Sequence, residues 1–371
     1  MRFVLFVHSL VSCWNHGNAH FLRGVAAELV ARGHDVAVYE QRAAWSRENL
    51  EREHGPEAVR SFAEAFPTLA SEQYDLDRLD LDRILDRADV VLVHEWNDPT
   101  LVAAVGRRRG AHDGFVALFH DTHHRAATAP EQMARYDLSG YDGVLAFGEA
   151  IRRLYLERGW ADRAWTWHEA ADTRIFRPLP EIERRHDIVW IGNWGDDERT
   201  AELAEFLLLP ARELGLTGSV YGVRYPDEGR RAVEDAGLAY RGWIANHEVP
   251  GVFAAHRVTV HVPRRPYTRV LPGIPTIRPF EALACGIPLV SAPWDDAEGL
   301  FTPGEDFLLA GTGAEMTDAL QTVLHDRELA GRLARRGLET IVARHTCAHR
   351  VDELLGICRE LGAREGAEVA A

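Results

Sequence analysis

The sequence predicts an α/β protein of two doubly wound domains that face one another across a cleft. Three observations carry this. Short apolar runs recur between helical stretches, the pattern of a parallel sheet covered on both faces. The series stops at a charged segment with two prolines, Asp172 to Arg185, and then starts again. Finally, the segment from Arg278 to Ser291 joins a glutamate-bearing apolar helix, a Gly-Ile-Pro stop and a buried-type strand. In an open α/β sheet that order places Glu281 and the first helix amides at the carboxyl edge of the strands.

The elements follow in order. Arg2 to Val7 reads as a buried first strand, and a loop through Gly17 leads into an apolar-periodic helix from about Ala19 to Ala31. Arg32-Gly33-His34-Asp35 turns into a strand from Val36 to Glu40. Residues 41 to 88 read as mostly helical and charged, and runs at Asp89–His94, Phe115–His120 and Gly143–Phe147 are further buried strands. The second series runs through Asp187–Gly192, Gly218–Gly222, Val258–Val262 and Pro288–Ser291. The expected domains are 1–172 and 173–345, with 346–371 a C-terminal helix and tail placed to pack back on the first domain. Ala363 to Ala371 is low in complexity and expected to fray.

Composition narrows the chemistry. No apolar run approaches the length needed to cross a bilayer, so no integral membrane contact is expected. Cys13, Cys285, Cys347 and Cys358 are scattered without metal-ligand spacing, which suits reduced thiols in a cytoplasm. A formal charge of −15 argues against general nucleic-acid binding. The chain contains no lysine, so all 42 basic side chains are arginine. That excludes Schiff-base catalysis, a P-loop lysine and a pyridoxal-phosphate lysine, and leaves phosphate contacts to Arg, His, hydroxyls or backbone amides.

Several segments together resemble GT-B glycosyltransferases of the retaining GT4-like type, in which two Rossmann-like domains bind a nucleotide sugar. Arg278 to Ser291 resembles the family's "EAxAxG-P-hydrophobic" donor signature. Gly17 to His34 resembles the loop, helix and "RGH" element that opens the N-terminal domain, and Phe119-His120-Asp121 the "tHd" strand end. Ile191-Gly192-Asn193-Trp194 resembles the opening of the C-terminal domain, and Tyr240 to Ile244 the segment beside the nucleotide base. His345-Thr346 with His349-Arg350 resembles the "HTxxxR" helix start of the CgeB-like, spore-maturation branch.

The resemblance implies a metal-independent transfer from a nucleotide-diphosphate sugar to a small-molecule or glycan acceptor, with no bound cofactor, in bacterial natural-product or cell-surface glycosylation. It implies that Glu281 binds the ribose hydroxyls, while a helix followed by a glycine cap and a strand is the plain structural reading. Around the donor it places Gly17, Asn18, Gly192, Asn193, Tyr221, Gly242, Trp243, Ile244 and Thr276. The diphosphate falls to Arg199, Arg224, Arg264, Arg265 or Arg278, between which the sequence does not choose. Arg278 is close enough to Glu281 to share its ligand, or to form an ion pair with an acidic neighbour.

The chain also departs from the family. The second glutamate of "E-x7-E" is replaced by Gly273, whose loop can supply amides near a sugar or phosphate. Asn193 and Glu198 stand where Arg and Lys are usual. His120 is the first candidate for contact with the transferred sugar, against the reading of a core histidine, and His20 the second. The position of the base in inverting relatives falls on Asn18, which favours retention. His94, Glu95, Asp121 and His123 are expected on the acceptor side.

No metal site is expected. Asp75-Leu76-Asp77 and Asp80-Leu81-Asp82 read as a solvated face of a helical run, and Asp196-Asp197 and Asp295-Asp296 lack a third ligand. The His-rich stretch 119–125 fits no standard zinc spacing. Two further readings stand beside the transferase: a GT-B sugar-nucleotide epimerase, and a non-catalytic nucleotide-sugar-binding relative.

Overall fold

The computed structural model describes residues 1–42, 44–111, 114–195 and 197–363. The predicted fraying of the tail beyond residue 363, and Asp196, lie outside the described residues. The chain divides into two compact units, Met1–His168 together with the chain from Cys347 onward, and Glu169–Thr346.

The first unit contains β1 (Arg2–Val7), β2 (Asp35–Gln41), β3 (Glu72–Tyr74), β4 (Val90–His94), β5 (Val116–Asp121), β6 (Gly143–Ala146) and β7 (Ala164–Thr166), in the spatial order β3-β2-β1-β4-β5-β6-β7. Central β1 sets Leu5 opposite Val38 on one side and Leu92 on the other, both in parallel register. The winding direction reverses between β1 and β4, which makes their carboxyl ends the place where a crevice opens in such sheets. The helix Cys347–Glu360 packs on this unit: Trp167, fully buried, donates its indole N–H to the Arg350 carbonyl at 2.8 Å, and Arg32 pairs with Asp352.

The second unit contains β8 (His186–Ile191), β9 (Gly218–Tyr221), β10 (Ala239–Gly242), β11 (His256–His261), β12 (Leu289–Ser291) and β13 (Leu308–Leu309), in the order β10-β9-β8-β11-β12-β13. All its pairs are parallel, and the reversal lies between β8 and β11. Apolar residues of β8, β9 and β11, among them Ile188, Val220 and Val258, join Leu203, Phe206, Leu320 and Val323 in one core on one face. Val189, Ile191 and Leu289 join Phe253, Phe280 and Leu283 in another. Residues 172–185 carry neither helix nor strand.

The long apolar runs form strands where the sequence places them. The short strands β3, β7, β10 and β13 lie at or next to sheet edges and go beyond the reading, because two to four residues give little periodicity. The charged stretch 41–88 is less helical than expected. Its helix Trp45–Ala65 breaks at Gly55, whose left-handed φ of 68° meets the demand of Pro56 that the preceding residue leave the α region. The Asp75–Asp82 run is a short 3-10 turn, Leu76–Arg78, and a short helix, Leu81–Leu85, separated by extended residues. Its carboxylates remain on the surface: Asp75 pairs with Arg42, Asp82 with Arg108, and Asp80 caps the Arg83 N–H.

Close backbone approach at the carboxyl edge of the second sheet requires glycine once. A Cβ on Gly222 would lie 2.1 Å from the Gly192 carbonyl oxygen, and its φ is 154°. Gly222→Ala is therefore expected to destabilise the protein by about 1–3 kcal/mol through overpacking. Urea unfolding checks this, and an unchanged midpoint would show that the strand ends can separate freely.

Candidate active site

In the second unit the winding reversal is bridged by one side chain. Arg199 donates from Nη2 to the carbonyl of Asn193, which follows β8, at 2.5 Å, and from Nη1 to that of Val262, which follows β11, at 3.2 Å. Its guanidinium lies 5.1 Å from the Trp190 ring centre, and its Nε has no hydrogen-bond partner. Burial, reinforced by the charges of Arg264 and Arg278, brings its pKa down to about 9. A cation held by carbonyls among other cations is incompletely compensated, and an anion would complete its surroundings.

The arginines near it are spent differently. Arg264 pairs with Glu198 at 2.8 Å, Arg265 with Glu202 at 2.8 Å, and Arg278 with Glu281. Arg224 is exposed, with a left-handed φ of 60°. The unusual Glu198 is thus the partner of Arg264, and Arg199 stands apart from Arg264, Arg265 and Arg278 in being held by carbonyls, with no carboxylate paired to it among the described residues.

Glu281 is fully buried. Its helix runs from Ile277 to Ala284, so the carboxylate sits in the second turn. One oxygen accepts from Asn246 Nδ2 at 2.8 Å and the other from Arg278. Of the two readings of Arg278, the ion pair is the one observed, and the acidic neighbour is Glu281 itself. Thr276 precedes this helix with φ of 61°, a rare conformation for a β-branched residue. The amide of Gly273 itself is engaged within the fold. Its N–H donates to the Asp295 carbonyl at 2.7 Å, and a side chain there would collide with Glu298.

His261, the last residue of β11, was not singled out in the sequence. Ser291 Oγ gives its proton to the Ala292 carbonyl at 2.8 Å and so accepts from His261 Nδ1 at 3.0 Å. The ring's Nε2 is therefore a bare acceptor, and it has no partner. Burial, with Arg199 and Arg278 nearby, lowers the pKa to about 3 and keeps the ring neutral. Around this edge lie the ends of β8, β9 and β10, which place Gly192, Tyr221 and Gly242 in one row, with Trp243 and Ile244 half-buried just after. Tyr225, also missed, donates to the Gly192 carbonyl and accepts from Trp190 Nε1.

In the first unit the loop after β1 is clamped from two sides. Glu40, at the far end of β2 and fully buried, accepts from the Leu10 and Val11 amides at 2.6 and 3.0 Å. Arg23, in the helix Ala19–Ala31, donates to the carbonyls of the same two residues, both at 2.7 Å. Gly17 is exposed in the turn before that helix, Asn18 precedes its first residue without a side-chain cap, and His20 is buried in its first turn. The clamped loop carries His8 and His16.

His120 is fully buried, between the rings of Trp167 at 4.9 Å, His94 at 5.3 Å and Phe21 at 5.9 Å, yet both its nitrogens lack partners. Burial lowers its pKa to about 3. Glu95 and Asp121, expected toward an acceptor, are both fully buried and serve the turn between them. Glu95 accepts from the Thr122 amide and from Arg125, and Asp121 from the His123 amide and the Tyr155 hydroxyl. Burial, and then repulsion by Glu95, pushes the Asp121 carboxyl well above its usual range. His123 lies against Trp96, with ring centres 5.2 Å apart.

Two family models match the chain in tandem. Residues 17–174 match the model described as Glycosyltransferase Family 4, and residues 199–356 match one described as Glycosyl transferase-like. Both matched stretches are glycosyltransferase domains. Solved structures resemble the whole chain at low identity. HepE from Anabaena, solved with UDP and glucose, is 14% identical over 97% of this chain and 100% of its own, with a TM-score of 0.66. Sucrose-phosphate synthase from Thermosynechococcus elongatus is 15% identical over 97% and 99%, with a TM-score of 0.64. An α-glucosyltransferase solved with UDP and DNA is 11% identical over 97% and 100%, with a TM-score of 0.69. The fold is GT-B. No curated protein sequence matches the chain significantly.

The histidines of the first GT-B unit generate a pH test. Burial lowers the pKa of His8 from 6.5 to about 4. Between those values the unfolded chain takes up a proton that the folded one refuses, so stability falls as pH falls through this window. His8→Phe is expected to make melting temperature decline less steeply between pH 6.5 and 4, measured by scanning calorimetry. Equal slopes would remove His8 as a source of acid lability.

Proposed function

We propose that the protein transfers a sugar from a uridine-diphosphate sugar to a hydroxyl-bearing acceptor, with retention and without a metal ion. The observation that carries this is Arg199, held by carbonyls from both sides of the winding reversal, with an unpartnered Nε. A diphosphate there would supply the missing countercharge, and the growing negative charge on the leaving group would strengthen the contact in an oxocarbenium-like transition state. Uridine as the base is supported by the UDP-bound state of HepE and of the α-glucosyltransferase.

Glu281, oriented by Asn246 and Arg278, is proposed to accept the ribose hydroxyls, and His261 Nε2 offers a further acceptor at the same edge. His120, with two unpartnered nitrogens, is proposed to touch the transferred sugar. Retention is supported by Asn18, a residue unable to act as base at the position inverting relatives use. Membership of the CgeB-like branch rests on the His345-Thr346 and His349-Arg350 pattern. An epimerase would need carboxylates free to act on the sugar ring. The carboxylates described above at these edges, Glu40, Glu95, Asp121 and Glu281, are each engaged within the fold.

Arg199→Gln is expected to weaken UDP binding by about 1.5–3 kcal/mol, the range for hydrogen bonds to charged groups. Isothermal titration measures this directly, and an unchanged affinity would move the diphosphate elsewhere. Glu281→Ala is expected to lose affinity in the same range for UDP but none for inorganic pyrophosphate, because it removes the ribose contact while leaving Arg199 in place and freeing Arg278 of its carboxylate. EDTA is expected to leave transfer intact, and activity lost to the chelator and restored by Mg²⁺ or Mn²⁺ would contradict the metal-free mechanism.

A further inference from the structure

At the carboxyl edge of the first unit, hydrogen-bonding capacity is left over beyond the His120 contact proposed above for the donor sugar. His8, which follows β1, His16 in the clamped loop, His94 ending β4 and His120 in β5 form a chain of ring contacts. Successive ring centres lie 5.2, 6.1 and 5.3 Å apart. Each of the four is at most 6% exposed. Nε2 of His8, Nε2 of His16, Nδ1 of His94 and both nitrogens of His120 have no hydrogen-bond partner. Buried polar atoms left unmet are costly, so such a concentration at the winding reversal points to a ligand.

The proton positions of two rings tell what the ligand must provide. Thr122 Oγ1 donates its one proton to Glu95 at 3.2 Å, so it accepts from His94 Nε2 at 3.1 Å. That leaves His94 Nδ1 as a bare lone pair. His16 makes a hydrogen bond to the Ser9 backbone that favours its protonated form, which means the ring donates there. Its unpartnered Nε2 is then also a lone pair. A phosphate or carboxylate has no proton to give and would face two lone pairs. A metal ion would suit bare imidazoles, but among the described residues no three His, Cys, Asp or Glu converge to hold one. Hydroxyl groups supply the donor each nitrogen lacks. The apolar faces of a sugar ring would find aromatic neighbours in Trp45, 4.6 Å from His8, and Trp96, 6.4 Å from it.

We propose that His16 Nε2 and His94 Nδ1, with Trp45 and Trp96 beside the cluster, accept hydrogen bonds from the hydroxyls of an uncharged saccharide or polyol. This names the acceptor class of the transfer and rests on the glycosyltransferase reading above. Burial and the mutual repulsion of the histidines hold His16 and His94 neutral, which keeps the preference for uncharged ligands across neutral pH.

Saturation-transfer NMR on the full chain tests it, with methyl α-glucoside as the uncharged probe and gluconate and glucose 6-phosphate as anionic ones. Saturation of methyl α-glucoside by the wild type is expected, with at least tenfold weaker binding in His16→Phe and in His94→Phe. His16→Gln, whose amide oxygen can still accept, is expected to recover part of it. Thermal unfolding and near-UV circular dichroism, measured in parallel, report that the first unit of each variant has folded. Unchanged glucoside binding in both Phe variants, a preference for the anionic probes, or stoichiometric Zn²⁺ bound by the histidines would each overturn the proposal. A wild type that binds the glucoside but not UDP would instead contradict the glycosyltransferase reading alone. Binding of UDP with none of the glucoside would contradict the acceptor assignment alone.

Discussion

Every named strand in both units pairs in parallel, and this constraint governs where chemistry can sit. Parallel pairing sends all carboxyl ends of a sheet to one edge, and the reversal of winding opens that edge between two neighbouring strands. In the first unit the reversal lies between β1 and β4, and in the second between β8 and β11. Among the residues with unmet polar atoms, His8 and His94 lie at one of these points and Arg199 and His261 at the other. Strand cores made almost wholly of Val, Ile, Leu and Phe supply the stability that lets the edges keep incompletely satisfied groups.

The two edges solve the same problem with opposite charge logic. The loop after β1 has no regular ladder, so its backbone groups need partners from elsewhere. Glu40 meets two of its amides and Arg23 two of its carbonyls, so that one carboxylate and one guanidinium fix both sides of the same dipeptide. Arg23 also lies about 5.0 Å from the Phe62 ring centre, which places its desolvated charge against an aromatic face. At the second edge Arg199 takes carbonyls only. The absence of lysine makes this geometry natural, since a planar guanidinium can span carbonyls of two strand ends where a single ammonium would serve one.

Much of this was legible in the sequence, and the reasons for the rest are physical. Runs such as Phe3–Val7 and Val258–Val262 declare themselves because a strand buried on both faces must be apolar throughout. The glutamate of the donor signature and Arg199 were visible as residue types in a recognisable order. That Arg199 alone among Arg199, Arg264, Arg265 and Arg278 is without a carboxylate was not. Glu198 and Glu202 reach Arg264 and Arg265 across 66 and 63 residues of sequence, a separation no local pattern encodes. Asn246 likewise meets Glu281 across 35 residues. Glu95 and Asp121 misled because a carboxylate at a strand end looks the same whether it faces a ligand or braces its own turn.

Histidine is the residue for which sequence and structure diverge most, and the cause is burial. In the sequence His120 and His20 drew attention through the family pattern, while His8, His16 and His261 looked like incidental polar residues near strand ends. Folding brings His8, His16, His94 and His120 into one row and sinks each to 6% exposure or less. Desolvation then outweighs every other influence on their charge, and each is held below its ordinary pKa. A row of cations would have favoured an anionic partner and repelled its own members. A row of neutral rings can pack at ring-contact distance and still present lone pairs whose positions are set by Thr122 and the Ser9 backbone. The same burial acts on His261, which Ser291 turns into an acceptor. Both edges thus present fixed acceptors in water-poor surroundings, and the one cation left without a carboxylate in its set stands at the edge where a diphosphate would need it.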